Sequence, residues 1–468
     1  MDYRMEHDSL GNHKVPVNAY YGVQTLRALE NFDISGIPIS RFDRMIQALA
    51  EVKKAACLAN MELELLPDSI GEAIVQACRD VRSGMLDSQF VVDVVQGGAG
   101  TSVNMNANEV ICNRALEIAG HAKGDYHFIH PLNHVNLSQS TNDVYPTAFR
   151  IALVRYIDEL IRAIRELREG LDAKGTEFAR VIKMARTQLQ DAVPITLGAE
   201  FAAWGVTVGE DIQRLEEMRL LLCEVNMGAT AVGTGINSVV GYSDIVVARL
   251  AGITGLPIRR AENLIEATSD AGAYVMLSGM LKRISVKISK ICNDLRLLSS
   301  GPFTGLREIN LPAVQPGSSI MPGKVNPVIP ELVNQVAYQV IGNDMTVTMA
   351  AESGQLQLNV FLPIIAFNLF QSLEMLSRAF VTLRRRCIDG ITANPERCLQ
   401  LVKGSLGVVT ALAPVLGYEE AASLVKQAQE SGKDVCQIVR ESGVANADEI
   451  CSLLDPEMML APRARNSK

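Results

Sequence analysis

The chain has 468 residues, 48% of them hydrophobic and 5% aromatic, with a formal net charge of −8. An acidic chain of this kind excludes nucleic acid as the main partner, because phosphate binding needs a basic face. Nine scattered cysteines without CxxC spacing, a polar stretch over residues 1–30 and the lack of a long apolar run argue against a disulfide scaffold, a secretory leader and a membrane span, so a reducing cytoplasm is expected.

Residues up to about Ile39 are rich in Gly, Pro, Asn and Asp and read as irregular, with room for short strands. Helical spacing begins with Phe42, Ile46, Leu49, Val52 and Ala56. A second helix is predicted over 103–119, with Ala107, Val110 and Ile111 on one face. Long amphipathic runs follow. One carries Val154, Ile157, Ile161, Ile164, Leu167 and Leu171, and others lie near 195–225, 272–298, 331–349 and 361–385. Several exceed an average globular helix, as in an extended bundle. The basic run Arg384-Arg385-Arg386 ends one of them, where cations complement the helix dipole. Beyond 391–395 the helices shorten, for example 418–431 and 435–442, and mark a small C-terminal domain.

Four polar segments each read as directly preceding a helical run: 97–102 (GGAGTS), 138–143 (SQSTND), 186–191 (RTQLQD) and the loop from Gly317 to Glu331. Helix N-termini offer free N–H groups and a positive dipole end, and neighbouring hydroxyls add donors, so together they can hold a small carboxylate. Taken singly, each segment reads more readily as helix capping than as a site, and only the four together point to a site. The fourth is the richest. Ser318, Ser319, Lys324 and Asn326 form a dense donor set, and Pro330 and Glu331 suit the first turn of a helix. Six histidines all fall within the first 134 residues, and His121, His127, His130 and His134 match no zinc-ligand spacing.

The run GSSIMPGKVNP resembles the signature of the aspartase/fumarase superfamily, and its continuation VIPELVNQV looks like that of aspartate ammonia-lyases, whereas fumarases continue with a TQCE-like stretch. QGGAGTSVNMNANEV, HVNLSQSTNDVYPT, RTQLQDAVPITLG and the run from Tyr20 to Phe32 resemble the same family, so the likeness extends from Arg4 to about Asn334. It implies a mostly α fold of three domains, 1–140, 141–393 and 394–468, in which the central one is a long five-helix bundle. It also implies a homotetramer whose active sites are each assembled from three subunits. No cofactor or metal is expected.

The implied reaction converts L-aspartate to fumarate and ammonia. Removing the Cβ proton pushes charge into the β-carboxylate and forms an aci-carboxylate, which preorganised donors stabilise. By motif position those donors are Thr101, Ser140, Thr141 and Ser319. Lys324 and Asn326 hold the α-carboxylate, while Thr187 and Met321 shape the pocket. Asn142 orients the amino or α-carboxylate group. Ser318 is the base, acting as an alkoxide on a loop that closes over substrate. Gln188 stands where many superfamily members carry His; it can hydrogen-bond a carboxylate but cannot shuttle a proton near neutrality. The stretch His130-Pro131-Leu132-Asn133 departs from the fumarase pattern HPND, so that family's second anion site is not expected. Two other readings stay open on the sequence: a fumarate hydratase or related lyase of succinyl-type substrates, and a catalytically silent structural protein on the same scaffold.

Overall fold

The computed structural model describes residues 2–442 and 446–460; residues 443–445 and 461–468, within the expected C-terminal domain, lie outside the described residues. In chain order, the hairpin β1 (Tyr3–Asp8) and β2 (Gly11–Pro16) leads into α1 (Val23–Asn31), α2 (Asp43–Glu62), α3 (Asp68–Arg82) and α4 (Thr101–Ile118). A 37-residue helix α5 (Thr141–Glu177) precedes a second hairpin of β3 (Ile182–Thr187) and β4 (Gln190–Thr196). Then come α6 (Leu197–Leu222), β5 (Glu224–Val225), α7 (Tyr242–Thr254), β6 (Arg259–Arg260), α8 (Leu264–Ser269), α9 (Gly272–Leu298), β7 (Ile309–Asn310), α10 (Val328–Glu352) and α11 (Leu362–Arg386). Short elements close the chain: β8 (Thr392–Ala393), α12 (Pro395–Lys403), α13 (Ala413–Leu416), α14 (Tyr418–Ser431), α15 (Val435–Glu441) and α16 (Ala447–Ser452). The fold is mostly α, as expected; each described sheet has two strands.

The chain divides into two compact units. The first comprises Met1–Arg162, Ile212–Ser285 and Val336–Ser377; the second comprises Ala163–Asp211, Val286–Gln335 and Arg378–Lys468. In the first unit α2 buries Met45, Ile46, Leu49, Val52 and Ala56, so its apolar period is a core face. The few aromatics gather here: Phe42, Phe149, Tyr156, Tyr274 and Phe370 pack ring to ring. The second unit has a smaller aromatic group, Phe178, Phe201 and Trp204, and a separate aliphatic core of Val409, Leu412, Leu424, Ile438 and Val439.

Three expectations need correction. The N-terminal stretch is not wholly irregular: α1 forms there, although Gly22 at its N-cap position supplies no side-chain cap. Its N-terminus is closed by remote carboxylates instead, Glu6 accepting from Val23 N and Glu109 from Gly22, Gln24 and Thr25 N. Residues 186–191 do not directly precede a helix but turn the β3–β4 hairpin, with Thr187 paired to Gln190. One described helix, Leu362–Gly390, is long and apolar enough by composition to cross a bilayer, and 56% of its most apolar window is buried inside the protein.

Candidate active site

The candidate residues fall into two groups, one in each unit. In the first unit Thr101, Ser140 and Thr141 line one cleft of about 440 Å3, together with Gln24, Thr230 and Asn237. Thr101 opens α4 after Gly98, Ala99 and Gly100, all with left-handed backbone. Gly100 is required there: at φ +92° an added Cβ would also lie 2.3 Å from the ring of Tyr145. The Thr101 hydroxyl donates to Gly98 O at 2.7 Å, so it must rotate to reach a ligand.

Ser140 precedes α5 and its Oγ accepts from Asn142 N, while its own N–H donates to Asp143 Oδ1 at 3.0 Å. Asp143 is fully buried, and its Oδ2 accepts from Gly228 N and Thr230 N. One carboxylate thus ties the start of α5 to the loop between β5 and α7. Asn142 strengthens the same tie, donating from Nδ2 to Ala231 O at 2.7 Å and accepting at its main-chain carbonyl from Asn226 Nδ2. With Nδ2 engaged on a carbonyl, the Oδ1 of Asn142 is left as an acceptor.

Beneath the cleft, Lys53 donates to Asn136 Oδ1 at 2.8 Å and to Gln139 Oε1 at 3.0 Å. Burial lowers the Lys53 ammonium to about 7 and raises the Asp143 carboxyl to about 7, and the opposite charges partly counter both shifts. Ser138, left-handed at φ +62°, donates to buried Asn60.

In the second unit Thr187 and Gln188 sit at the exposed tip of the β3–β4 hairpin. Gln188 and Leu189 form its two-residue turn, both at positive φ without being glycine, a strained choice of the kind that collects at functional sites. The hairpin's base is held by charge: Lys183 pairs with Glu200 at 2.6 Å and with buried Glu308 at 2.9 Å, and Arg186 pairs with Glu308 at 2.7 Å. Arg186 is therefore engaged structurally.

The loop before α10 carries the remaining candidates. Ser318 Oγ accepts from Met321 N at 3.0 Å and from Ile320 N at 3.3 Å. Met321 to Lys324 make a turn, Lys324 N donating to Met321 O, with Pro322 second and Gly323 third at φ +80°. Asn326 Nδ2 donates to Gly317 O at 2.7 Å, and a Cβ on Gly317 would fall 1.7 Å from Lys324 O, so glycine alone fits that crossing. Ser319, Met321 and Lys324 are exposed. The helix starts at Val328, which puts Pro330 and Glu331 in its first turn as the sequence predicts.

Sequence reasoning overlooked the loop from Gly228 to Gly241. It meets the same criterion as the four chosen segments, being rich in Gly and Thr ahead of α7, and it brings Thr230 and Asn237 to the cleft. It also gave no role to Lys53, Asn104, Asn136 or Asp143, the last of which lies inside segment 138–143. Among the described residues no group of three or more His, Cys, Asp or Glu side chains is arranged to hold a metal ion. His121 pairs with Asp125 and stacks on Phe128, and His130 accepts from two backbone N–H groups.

Known proteins resemble this chain over nearly its whole length. Residues 11–342 match a lyase family model and residues 408–461 match the fumarase C C-terminus. The chain is 58% identical to an aspartate ammonia-lyase of Pseudomonas aeruginosa, covering 98% of this chain and 97% of that protein. It is 53% identical to the aspartate ammonia-lyase of Escherichia coli K12, covering 98% and 96%. A crystal structure of a fumarate lyase:delta crystallin from Brucella melitensis, bound to cobalt, superposes with a TM-score of 0.96 at 56% identity, covering 98% and 100%. A class II fumarase from Schistosoma mansoni superposes with a TM-score of 0.93 at 35% identity, covering 98% and 99%.

Proposed function

Because the chain belongs to the lyase family that holds the aspartate ammonia-lyases and class II fumarases, we propose how its residues carry out the deamination of L-aspartate to fumarate and ammonia. It is a carbon–nitrogen lyase. The observation that carries this activity is the identity of 52–58% to aspartate ammonia-lyases over 98% of the chain, against 35% to the fumarase.

Ser318 takes the Cβ proton. A serine hydroxyl is a weak base unless its alkoxide is stabilised, and two N–H donors aimed at its Oγ supply that stabilisation without a histidine. As the proton leaves, charge flows into the β-carboxylate. Ser140 and Thr141 suit that stage, since the oxygen of each already accepts a protein N–H and its hydrogen is free to donate. Thr101 and Ser319 add donors. Lys324 meets the α-carboxylate as a point charge, with Asn326 beside it and Thr187, Gln188 and Met321 around it. The free acceptor of Asn142 suits the α-ammonium better than a carboxylate, and ammonia then leaves from Cα as the electron pair of the aci-carboxylate returns. Gln188 supplies no proton, which an amine leaving group tolerates and a hydroxide does not.

We read each active site as assembled from three copies of the chain. A homotetramer is supported by apolar side chains left exposed along single helices: Tyr338, Met345 and Met349 on α10, and Met276, Val286 and Leu297 on α9. We read residues 1–140, 141–393 and 394–468 as its three domains and the cytoplasm as its location, consistent with nine unpaired cysteines. The test is ammonia release from L-aspartate beside fumarate formation from L-malate, with a tetrameric Ser318→Ala variant as control. Faster turnover of malate would overturn the activity, and near-normal turnover by the variant would overturn the base.

A further inference from the structure

The Thr141 hydroxyl can serve the reaction only if its hydrogen points into the cleft. Nothing in the hydroxyl itself decides this, because a threonine can donate or accept. The decision can be followed through buried amides. Asn136 Nδ2 faces the main-chain carbonyl of Gln139 at 3.2 Å, a group that only accepts. The other end of that amide is therefore oxygen, and it receives Lys53 Nζ, Asn104 Nδ2 at 3.2 Å and Asn108 Nδ2 at 3.1 Å. Asn104 must present its NH2 to that oxygen; flipped, it would set two acceptors against each other. The same NH2 lies 3.1 Å from Thr141 Oγ1. Thr141 Oγ1 is consequently an acceptor on its buried side, and its own hydrogen is left for the cleft.

We propose that Asn104 is a positioning residue for the reaction, fixing Thr141 as a donor to the β-carboxylate through the relay Gln139 C=O, Asn136, Asn104, Thr141. Asn104 is buried, and its own Oδ1 has no hydrogen-bond partner among the described residues, as has that of Asn108. Leaving two amide oxygens unsatisfied is costly. The arrangement accepts that cost while keeping every NH2 in the relay directed at an acceptor. Lys53 reinforces the order from the other end, since both of its partners are amide oxygens.

This inference rests on the reading of Thr141 as a substrate donor, and one experiment separates the two. A double-mutant cycle of Asn104→Leu and Thr141→Val is measured as kcat and KM for L-aspartate, with thermal melts to verify folding. Thr141→Val is expected to lower kcat by roughly a hundredfold and Asn104→Leu by about tenfold, with KM little changed because the donor acts on charge that develops after binding. The double variant is expected to match Thr141→Val alone. Near-normal kcat in Thr141→Val overturns the reading of Thr141 itself. A large loss there, combined with fold-changes that multiply in the double variant, overturns the relay alone. Should Asn104→Leu fail to fold, Asn104→Ser, which keeps a donor on a shorter arm, replaces it in the same cycle with the same outcomes.

Discussion

The loop that opens α5 and the loop that precedes α10 carry the same kinds of side chain but hold them differently. Ser140, Thr141 and Asn142 are braced from behind by Asp143, Asn104 and Asn226, all buried. Ser318, Ser319 and Lys324 stand on an exposed turn whose contacts are local: Ser318 with Ile320 and Met321, Asn326 with Gly317. Donors that stabilise developing charge gain most from being fixed before the reaction, because no reorganisation is then needed. A base that must meet its proton after substrate enters gains from a loop that can close, expelling water as it does so.

The largest effect expected from this contrast is at Ser318. Ser318→Ala removes the base and should lower kcat by about a thousandfold or more, with an unchanged melting temperature because the side chain braces only its own turn. A parallel drop in stability would show that the loop is part of the scaffold. Lys324→Met comes next. Its ammonium makes no hydrogen bond or ion pair within the described residues, so its loss should raise KM for L-aspartate and reduce kcat/KM by roughly a hundredfold, again without loss of stability. Initial-rate kinetics beside a melt reads both.

Two glycines sharpen the comparison at a smaller scale. A Cβ at Gly317 collides with the backbone of Lys324, and a Cβ at Gly100 collides with buried Tyr145. Gly317→Ala should cost activity, about tenfold or more, and leave the melting temperature in place. Gly100→Ala should cost both, because the collision lies in the core and the backbone is left-handed. If Gly317→Ala also melts early, the two loops do not differ in kind.

What the sequence made legible follows the same division. The limits of α9 and α14 could be read to the residue because each is bounded by a break in a clear apolar period. The hydroxyls of the site stood out because Gly, Ser and Thr cluster ahead of helices. The braces did not. Lys53 meets Asn136 across 83 positions and Glu109 caps α1 from 84 to 87 positions away, so no local pattern announces either pairing. The hairpin at 186–191 was misread for a related reason. Its turn is made by Gln188 and Leu189, not by the Asn-Gly or Asp-Gly that usually signals such a turn.

Glu109 offers the smallest and most specific test of a remote brace. Its carboxylate is buried and accepts from Gly22 N at 2.8 Å, Gln24 N at 2.9 Å, Thr25 N at 3.1 Å and Thr25 Oγ1 at 2.6 Å. Burial raises the carboxyl from 4.5 to about 7, and the four donors only partly oppose it. A carboxyl with a raised folded pKa binds more protons folded than unfolded between those two values, so its contribution to stability falls as pH rises through that window. Glu109→Gln has no proton to lose. The variant should melt below the parent at about pH 5, and the gap should narrow by a few degrees towards about pH 8. Asp143, raised in the same direction, titrates in both proteins and leaves the difference unaffected. A gap that stays constant from about pH 5 to about pH 8 would mean that Glu109 is ionised throughout and that its four donors outweigh its burial. The start of α1 would then be held by a charge, as Ser140 and Thr230 would be if Asp143 behaved likewise.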